Sequence, residues 1–378
     1  MKKKREKSTG LVKAGDSLKG KLGTVPPGVA PRETPGSYPP VKPTDPENPQ
    51  MSLFQNFLYN KVEERDHLSN AIDLWDGVPR YSVSRQAMNK SRENGAILRK
   101  HTTVFHYMKG SYECTISPAR VTDLDGEERD YYPSANEELI EDALRKLAAD
   151  QQAGFFDRPN FRSGVIFSLY ALREELAKRG KTRSYQEVRR SLDIMSSSII
   201  EIRGKNERGE ELYVKSAFLP SVVAVSRAKL KDDPGARWAI QFHPLVTASI
   251  DKIAFRQFNY DKMMSHSTHL ARWLHKQIVL KWTAADLLKP FEIRYSTVKR
   301  DSGLLGGYTR ERAAIDALEK AFGELQNSGL VASFERQDVT GARKKMIDVI
   351  FKVWPSLDFV REVKAANVRQ LAAKGEVR

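Results

Sequence analysis

The sequence predicts an α+β fold in which two similar domains follow a disordered N-terminal arm. The length, the uneven distribution of proline and an order of helices and strands that occurs twice all support this prediction. A chain of 378 residues suits two domains. The first fifty residues hold nine of the eighteen prolines, and the 40% of hydrophobic residues is enough to build a core in the remainder.

The charge of the chain points to a polyanionic partner. The 63 Lys and Arg against 48 Asp and Glu give a formal net charge of +15 and a pI of about 9.6. The first fifty residues hold ten basic and five acidic side chains, so +10 of the +15 belongs to the rest of the chain. A basic folded part of this kind is typical of proteins that bind nucleic acid.

The sequence carries no recognisable signal for export or for membrane insertion. No apolar run approaches the roughly 18 residues that a membrane-spanning helix needs. The basic start from Met1 to Lys7 is followed by small polar residues rather than by an apolar signal segment. The single cysteine, Cys114, can form neither an internal disulfide nor a cysteine-based zinc site. We therefore expect a cytoplasmic protein.

Residues 1–49 are predicted to form a disordered basic arm rich in proline and glycine. Besides the prolines, this segment holds six glycines and one aromatic residue, Tyr38. It can therefore bury too little apolar surface to offset the entropy lost on ordering. The arm either keeps the protein soluble or makes weak contacts to phosphates.

An apolar peptide follows the arm at Gln50, Met51, Ser52, Leu53 and Phe54. A short extended peptide with a leading glutamine and a Leu-Phe pair can dock in a preformed apolar pocket. The peptide resembles the pentapeptide by which bacterial replication proteins bind the sliding clamp. The alternative is that these side chains begin a helix that covers the core. Residues 50–96 are assigned to this peptide and a linker.

Residues 97–230 are predicted to form the first folded domain. It opens with a β-hairpin over 102–116 and continues with a helix, a short strand and a second helix from Leu169 to Lys178. We expect Asn136 to cap the first of these helices and Ser168 to cap the second, because both side chains accept hydrogen bonds from free backbone amides.

A third helix is predicted to begin at Ser184. Its apolar residues recur at helical spacing and form one stripe that faces the core: Tyr185, Val188, Leu192, Met195 and Ile199. Two β-rich stretches follow, over 199–202 and 212–225, and a polar turn joins them. This pattern predicts a hairpin directly after the third helix.

Residues 231–356 are predicted to repeat this order in a second domain. A long helix over 265–282 precedes a strand, a short helix and a further helix that Thr309 is expected to cap. The apolar face of that last helix is formed by Ala314, Ile315, Leu318, Phe322 and Leu325. A second hairpin spans 330–354, and residues 357–378 are assigned to a basic C-terminal tail.

Helix, strand, helix, turn, helix and hairpin is the order of a winged helix, in which the third helix enters the DNA major groove and the hairpin contacts the backbone. Both candidate third helices carry side chains that suit base edges or phosphates. An ordinary solvated face would explain any one of these residues alone. The predicted DNA-binding residues are Lys181, Arg183, Gln186, Arg189, Arg190, Lys205, Arg208, Lys299, Arg300, Tyr308, Thr309, Arg310, Arg312, Arg343, Lys344 and Lys345.

Motifs for catalysis or metal binding are absent from the sequence. No Walker-A loop is present, which argues against ATP hydrolysis. His266, His269 and His275 lack an accompanying carboxylate signature, and the histidine triplet of rolling-circle nickases does not occur. We therefore expect no catalytic residues, no metal site and no cofactor, and we do not expect an enzyme.

The chain resembles the iteron-binding replication initiators of bacterial plasmids over roughly residues 50–356. The resemblance lies in the segment 167–172, in Thr309 and Arg310, in the segment 324–331 and in the clamp-like peptide. It implies tandem winged helices that bind direct repeats at the origin, promote opening of an AT-rich region and recruit the host initiator and replicative helicase. It also implies a dimer, formed through the first domain, that is less active or represses and so bears on plasmid copy control.

A second class of DNA-binding protein fits the same features. A transcriptional regulator or autorepressor with tandem winged helices would use the same DNA-reading residues. It would need neither a clamp-binding peptide nor the ability to melt an origin.

Overall fold

The structure is a computed structural model, and it describes residues 67–93, 97–123, 125–150, 154–206, 208–225, 236–342 and 346–374. The predicted arm, the clamp-like peptide Gln50 to Phe54, and the basic residues Arg343, Lys344 and Lys345 lie outside these residues. The described part is a mixed arrangement of helices and antiparallel strands, as the sequence predicts.

Short strands and helices are interspersed along the whole described chain. The helices are α1 Asp73–Gly77, α2 Arg85–Glu93, α3 Ala135–Asp150, α4 Leu169–Lys178, α5 Tyr185–Ser197, α6 Pro244–Asp251, α7 Tyr260–Ser265, α8 His269–Lys281, α9 Tyr295–Ser302, α10 Glu311–Asn327 and α11 Leu357–Ala373. The strands are β1 Leu68–Ile72, β2 His101–Tyr107, β3 Gly110–Ser117, β4 Ala119–Thr122, β5 Glu128–Tyr131, β6 Gly154–Asp157, β7 Arg162–Ser168, β8 Ile199–Lys205, β9 Glu211–Ala217, β10 Ser221–Val225, β11 Arg237–Gln241, β12 Phe255–Asn259, β13 Phe291–Arg294, β14 Val331–Thr340 and β15 Met346–Pro355.

Among the described residues, the strands form three larger sheets and two strand pairs. One sheet has the order β2-β3-β8-β9 and a second has the order β10-β11-β7-β6. The third, near the C-terminus, has the order β13-β15-β14. Strands β1 and β12 form one pair and β4 and β5 the other.

The first half of the fold contains the predicted series α3, β7, α4, α5 and the hairpin β8-β9. Ser168 caps α4 as predicted, since its hydroxyl accepts a hydrogen bond from the amide of Ala171 at 3.1 Å. Ser184 caps α5 in a reciprocal arrangement with Glu187, which fixes where this helix begins. Gly180 ends the turn after α4 with a φ of +69°, a conformation that glycine adopts without strain.

The predicted cap of α3 was wrong by two residues. Ser134, and not Asn136, precedes the helix, and both its amide and its hydroxyl donate to the carboxylate of Glu137, at 2.9 and 2.7 Å. Asn136 lies inside the helix and donates to the hydroxyl of Ser191 on α5 at 2.8 Å. Its side chain therefore connects two helices.

The second half contains the predicted order of helices and strands. Helix α8 is followed by β13, α9, α10 and the hairpin β14-β15, and β13 pairs with the hairpin strand β15. The first half differs, because β7 pairs with β6 and β11 while the hairpin β8-β9 continues the sheet of β2 and β3. The two halves therefore share their order of helices but not their strand pairing.

Two predictions in the second half need correction. The helix expected over 265–282 begins four residues later, as α8 at His269, because Thr268 caps it and the Thr268 hydroxyl accepts from the amide of Ala271 at 3.2 Å. Ser265 instead ends the separate helix α7. Thr309 does not cap α10, since the residue at that position is Arg310, which makes no side-chain capping bond.

Three predicted segment boundaries also differ from the structure. Residues 68–93, assigned to a linker, form β1, α1 and α2, and β1 pairs with β12 of the second half. The boundary placed between 230 and 231 separates β10 from β11, which pair with each other. Residues 357–373, assigned to a tail, form helix α11, which buries Phe359, Val360 and Val363.

The described residues share one main hydrophobic core that runs through both halves. It includes Trp75 of α1, Leu144 of α3, Leu192 of α5, Leu274 of α8 and Phe322 of α10. Because the third helices α5 and α10 are both packed on this continuous core, the fold holds them within a single body.

Candidate nucleic-acid interface

Helix α5 presents one narrow polar face to solvent. Its opposite face is buried through Val188, Leu192 and Met195, as the apolar spacing predicts. Gln186 is exposed and Arg189 half-buried, and three residues apart on a helix they lie on the same face. No hydrogen bond or ion pair to other described residues occupies either side chain, so both can reach an external partner.

A third face of α5 is covered by the hairpin β4-β5. Ile194 of the helix packs with Ala119, Val121 and Tyr131 of this hairpin in a small cluster apart from the main core. Next to it, Nη1 of Arg190 lies 2.6 Å from a carboxylate oxygen of Asp123. The guanidinium predicted to contact DNA is therefore already paired inside the protein.

Two further basic residues of the predicted site are bound within the described fold. Lys181 donates from Nζ to the carbonyl oxygen of His266 at 2.9 Å, and burial, together with the nearby Arg272 and Arg183, lowers the pKa of its amine. Arg183 donates to the side-chain oxygen of Asn136 and, at 2.8 Å, to the carbonyl of Thr182. Both residues hold the turn before α5 in place.

The tip of the hairpin β8-β9 carries two exposed cations, Lys205 and Arg208. Lys205 pairs with Glu211 at 3.1 Å across the two strands, in a solvated setting where such a pair is weak. Arg208 is exposed, and its amide and that of Glu210 donate to the side chain of Asn206, each at 3.0 Å. Asn206 thus shapes the turn that presents Arg208.

The N-terminal end of α10 carries a second exposed polar group. Thr309, Arg310 and Arg312 are exposed, and Tyr308 is 46% exposed. The free amides of a helix N-terminus carry a partial positive charge, so this end favours an anion such as phosphate. The structure therefore places four of the predicted residues together at one helix end.

Nearby basic residues on α9 are paired with acidic neighbours. Lys299 lies 3.1 Å from Glu311 in an exposed ion pair. Arg300 donates from Nε to the buried Asp301 at 2.6 Å, and the same carboxylate accepts from the amide of His106 at 2.9 Å. Arg300 is thus tied to a contact between α9 and β2.

The acidic partners are the residues that sequence reasoning missed. Asp123 is 67 residues from Arg190, and no local pattern signals that distance. Glu324, near the C-terminal end of α10, accepts from the amides of Ser267 and Thr268 at 2.6 and 3.1 Å. Its carboxylate therefore supports the start of α8 from inside the fold.

The histidines considered as metal ligands have other partners in the structure. His266 and His275 face each other, with Nε2 and Nδ1 at 3.0 Å, and burial lowers the pKa of His266 to about 4. His269 lies 3.1 Å from Glu138. Within the described ranges, no group of three or more His, Cys, Asp or Glu is arranged to hold a metal ion. In the same ranges, no helix is both long and apolar enough to cross a membrane.

Among known proteins, this chain shows similarity only to solved structures. No protein family model matches the sequence, and no curated protein matches it. A selenomethionine crystal structure of domains 2 and 3 of RctB is similar at 10% identity and a TM-score of 0.43, covering 69% of this chain and 92% of that chain. A second crystal structure of RctB domains 2–3 is similar at 11% identity and a TM-score of 0.42, covering 71% of this chain and 95% of that chain. The crystal structure of Pi initiator protein in complex with iteron DNA is similar at 12% identity and a TM-score of 0.39, covering 64% of this chain and 98% of that chain.

Proposed function

We propose that this protein initiates plasmid replication by binding direct repeats, or iterons, in double-stranded DNA at an origin. The proposal rests on two polar helix faces that are accessible to solvent and are held by the same hydrophobic core. Gln186 and Arg189 lie on α5, and Arg310 and Arg312 lie at the start of α10. Each of these helices is followed by a β-hairpin. Two such units on one chain suit a site that spans two major grooves.

Separate roles follow from the chemistry of each group. Gln186 suits an adenine edge and Arg189 a guanine edge, because both can form paired hydrogen bonds in the major groove. Arg310 and Arg312 combine with the positive end of α10, so at least one is expected to hold phosphate. Lys205 and Arg208 are expected to contact the backbone, since flexible cations in a turn neutralise phosphates without reading sequence.

The remaining features extend the proposal to host proteins. We assign the peptide Gln50 to Phe54 to the host sliding clamp, and we assign origin opening and recruitment of the host initiator and helicase to the DNA-bound protein. A homodimer that forms through the first domain would regulate copy number. In these respects the protein would act like the broad-host-range plasmid initiator TrfA, and it would carry out no catalytic step of its own.

Footprinting with the purified full-length protein tests the central claim. The probe is the plasmid DNA that flanks the gene for this chain. Protection of direct repeats, with two protected grooves in each repeat, is the expected result. Equal affinity for these repeats and for random DNA of the same length would contradict it.

Strand opening separates an initiator from a transcriptional regulator. Permanganate reacts with unpaired thymines, so it reports opening of an AT-rich region beside the repeats. An initiator should increase this reactivity on supercoiled DNA when it occupies the repeats. Occupied repeats without new reactivity would favour the regulator. Nicking of the same DNA by purified protein with a divalent metal would contradict the absence of catalysis, above all if His266→Ala abolished it.

A further inference from the structure

A buried set of charged side chains joins the two halves of the fold between α3 and α8. Nζ of Lys276 on α8 lies 2.7 Å from Asp142 and 3.2 Å from Glu138, both on α3. Nε of Arg272 lies 3.3 Å from Glu138. These two helices are the first helices of the two DNA-reading units, so the ion pairs connect one unit to the other.

The set continues from α3 into α1 and the loop after it. Arg145 pairs with Asp142 at 2.5 Å and with Asp76 at 2.7 Å. Arg80 pairs with Asp76 and with Glu141, each at 3.0 Å. Four acidic and four basic side chains thus balance one another, and each residue is at most 4% exposed. We call this set the ionic bridge: Asp76, Arg80, Glu138, Glu141, Asp142, Arg145, Arg272 and Lys276.

Stability alone is a poor reason to bury so many charges. Removing ions from water costs free energy that their attraction only sometimes repays, and apolar residues of similar volume often give an equal or more stable protein. Hydrogen-bonded ion pairs differ from apolar contacts in being directional, so they favour one relative position of the groups that they join. The ionic bridge is therefore suited to fixing geometry.

Further hydrogen bonds connect the ionic bridge to the two DNA-reading helices. On one side, the hydroxyl of Ser191 on α5 accepts from Asn136 at 2.8 Å and donates to Glu137 at 2.7 Å, both on α3. On the other side, Glu324 of α10 accepts from the amide of Thr268 at the start of α8. An unbroken series of contacts thus runs from α5 through α3 and α8 to α10.

We propose that the ionic bridge sets the distance and angle between α5 and α10, and thereby the spacing between the two halves of the DNA site. This inference rests on the proposed function, because it assumes that both helices read DNA. It makes Asp142 and Lys276 positioning residues for specificity, although neither touches the DNA. Base contacts would define the sequence of each half-site, and the ionic bridge would define the gap between them.

The test variant removes one pair and keeps the remaining charges balanced. Asp142→Asn with Lys276→Met leaves three acidic and three basic side chains, and both replacements are close in size to the originals. The matched control is Asp358→Asn with Arg361→Met, which removes an ion pair on α11 whose side chains are each 70% exposed, with nitrogen and oxygen at 3.5 Å. Both are made in the full-length protein.

The first measurement is affinity for repeats of altered spacing. Inserting two base pairs between the half-sites turns one half by about 70° and moves it by about 7 Å. The parent and the control should lose about tenfold or more in affinity for this DNA, and the variant should lose about threefold or less. Equal loss in parent and variant would overturn the inference while leaving the proposed function intact. Failure of the parent to prefer repeats over random DNA would instead overturn the function.

The second measurement needs no DNA and tests the geometry directly. Spin labels are attached to Ser197→Cys on α5 and Lys320→Cys on α10, both at exposed positions. Cys114 stays in place, because burial raises the pKa of its thiol to about 12 and leaves little reactive thiolate. The label-to-label distance distribution should be narrow in the parent and in the control and broader or shifted in the variant.

An unchanged distribution would overturn the inference whatever the outcome on DNA. Thermal melting of all three proteins accompanies both measurements. If the double variant does not fold, Asp142→Asn alone is taken through the same two experiments. It removes one charge of the Lys276 pair, so it must also broaden or shift the distribution, and an unchanged distribution in that folded protein would equally overturn the inference.

Discussion

Arg189 and Arg190 are adjacent on helix α5, but only Arg190 is held by an ion pair with Asp123, with nitrogen and oxygen 2.6 Å apart. Both side chains of that pair are 13% exposed. Arg189 has no such partner among the described residues and shares a face with Gln186. The two arginines, one position apart, therefore differ in whether an ion pair within the described fold holds the guanidinium.

Replacing Arg189 should weaken DNA binding without weakening the fold. Arg189→Ala should cost about 1–3 kcal/mol in binding to the specific repeat if the guanidinium reads a base. Its effect on random DNA should be smaller, because the guanidinium reads its base only at the specific site. Fluorescence anisotropy with the specific repeat and with random DNA measures the ratio of the two affinities. An equal loss of affinity for both DNAs would show that Arg189 contacts a phosphate and does not read a base.

Replacing Arg190 is the matched comparison and should affect stability. Arg190→Ala leaves the Asp123 carboxylate without this cation and weakens the packing of the β4-β5 hairpin on α5. We expect a loss of about 1–3 kcal/mol in the free energy of unfolding, measured by urea denaturation. A normal unfolding curve together with a selective loss of repeat binding would show that the Asp123 pair opens and that Arg190 contacts DNA.

The two cations at the tip of the hairpin β8-β9, Lys205 and Arg208, should contribute salt-dependent affinity. Removing a cation that neutralises one phosphate should reduce the slope of log affinity against log salt by about one unit, so Lys205→Ala with Arg208→Ala should reduce it by about two. The control is Arg361→Ala with Lys364→Ala, two exposed cations on α11, which should leave the slope unchanged. An unchanged slope in the hairpin variant would place this tip away from DNA.

The elements that could be predicted from the sequence are those set by local patterns. The stripe of Val188, Leu192 and Met195 identified α5, and the hydroxyls of Ser168 and Ser184 identified two helix starts. The pairing of β7 with β11 could not be predicted. Strand pairing depends on which distant segments meet, and the local residues leave several partners open.

The same distinction applies to the candidate site. The basic residues at α5 and α10 could be recognised by type and spacing. Their intramolecular partners could not, because Asp123 and His266 approach only through the tertiary fold. The ionic bridge was also missed, since Glu138 and Lys276 are 138 residues apart and charged residues on helices usually face solvent.

The free energy of unfolding should decrease as the pH falls from neutral to mildly acidic, because of buried histidines. Burial lowers the pKa of His243 to about 3, whereas the unfolded chain should have an ordinary value of about 6.5. Below pH 6.5 the unfolded state binds a proton that the folded state does not, so folding stability decreases as the pH falls. At pH 5 this single residue accounts for on the order of 2 kcal/mol.

His243→Asn tests this origin of the pH dependence. Asparagine can still accept the capping hydrogen bond that Nδ1 of His243 receives from the amide of Leu245 at 3.2 Å, but it does not titrate. The variant loses the stacking of His243 on Trp75 and should be less stable at pH 7. Its further loss between pH 7 and pH 5 should be smaller than in the parent. Urea denaturation of both proteins from pH 7 to pH 5 measures this difference.

The peptide Gln50 to Phe54 should bind the host sliding clamp, although it lies outside the residues that the structure describes. Burying Leu53 and Phe54 in an apolar pocket could contribute roughly 1.5–3 kcal/mol each, reduced by the cost of ordering the peptide. Binding in the micromolar range is therefore expected. Leu53→Ala with Phe54→Ala should abolish clamp binding in a pull-down while the melting temperature and repeat binding stay unchanged.

The neighbouring apolar pair separates clamp binding from a structural role. Phe57→Ala with Leu58→Ala changes the same kinds of side chain outside the motif, so it should leave clamp binding in place. If the segment instead covers the core, both double variants should lower the melting temperature, because each removes buried apolar area. A lower melting temperature in both, with no clamp binding by the parent protein, would assign Leu53 and Phe54 to the fold.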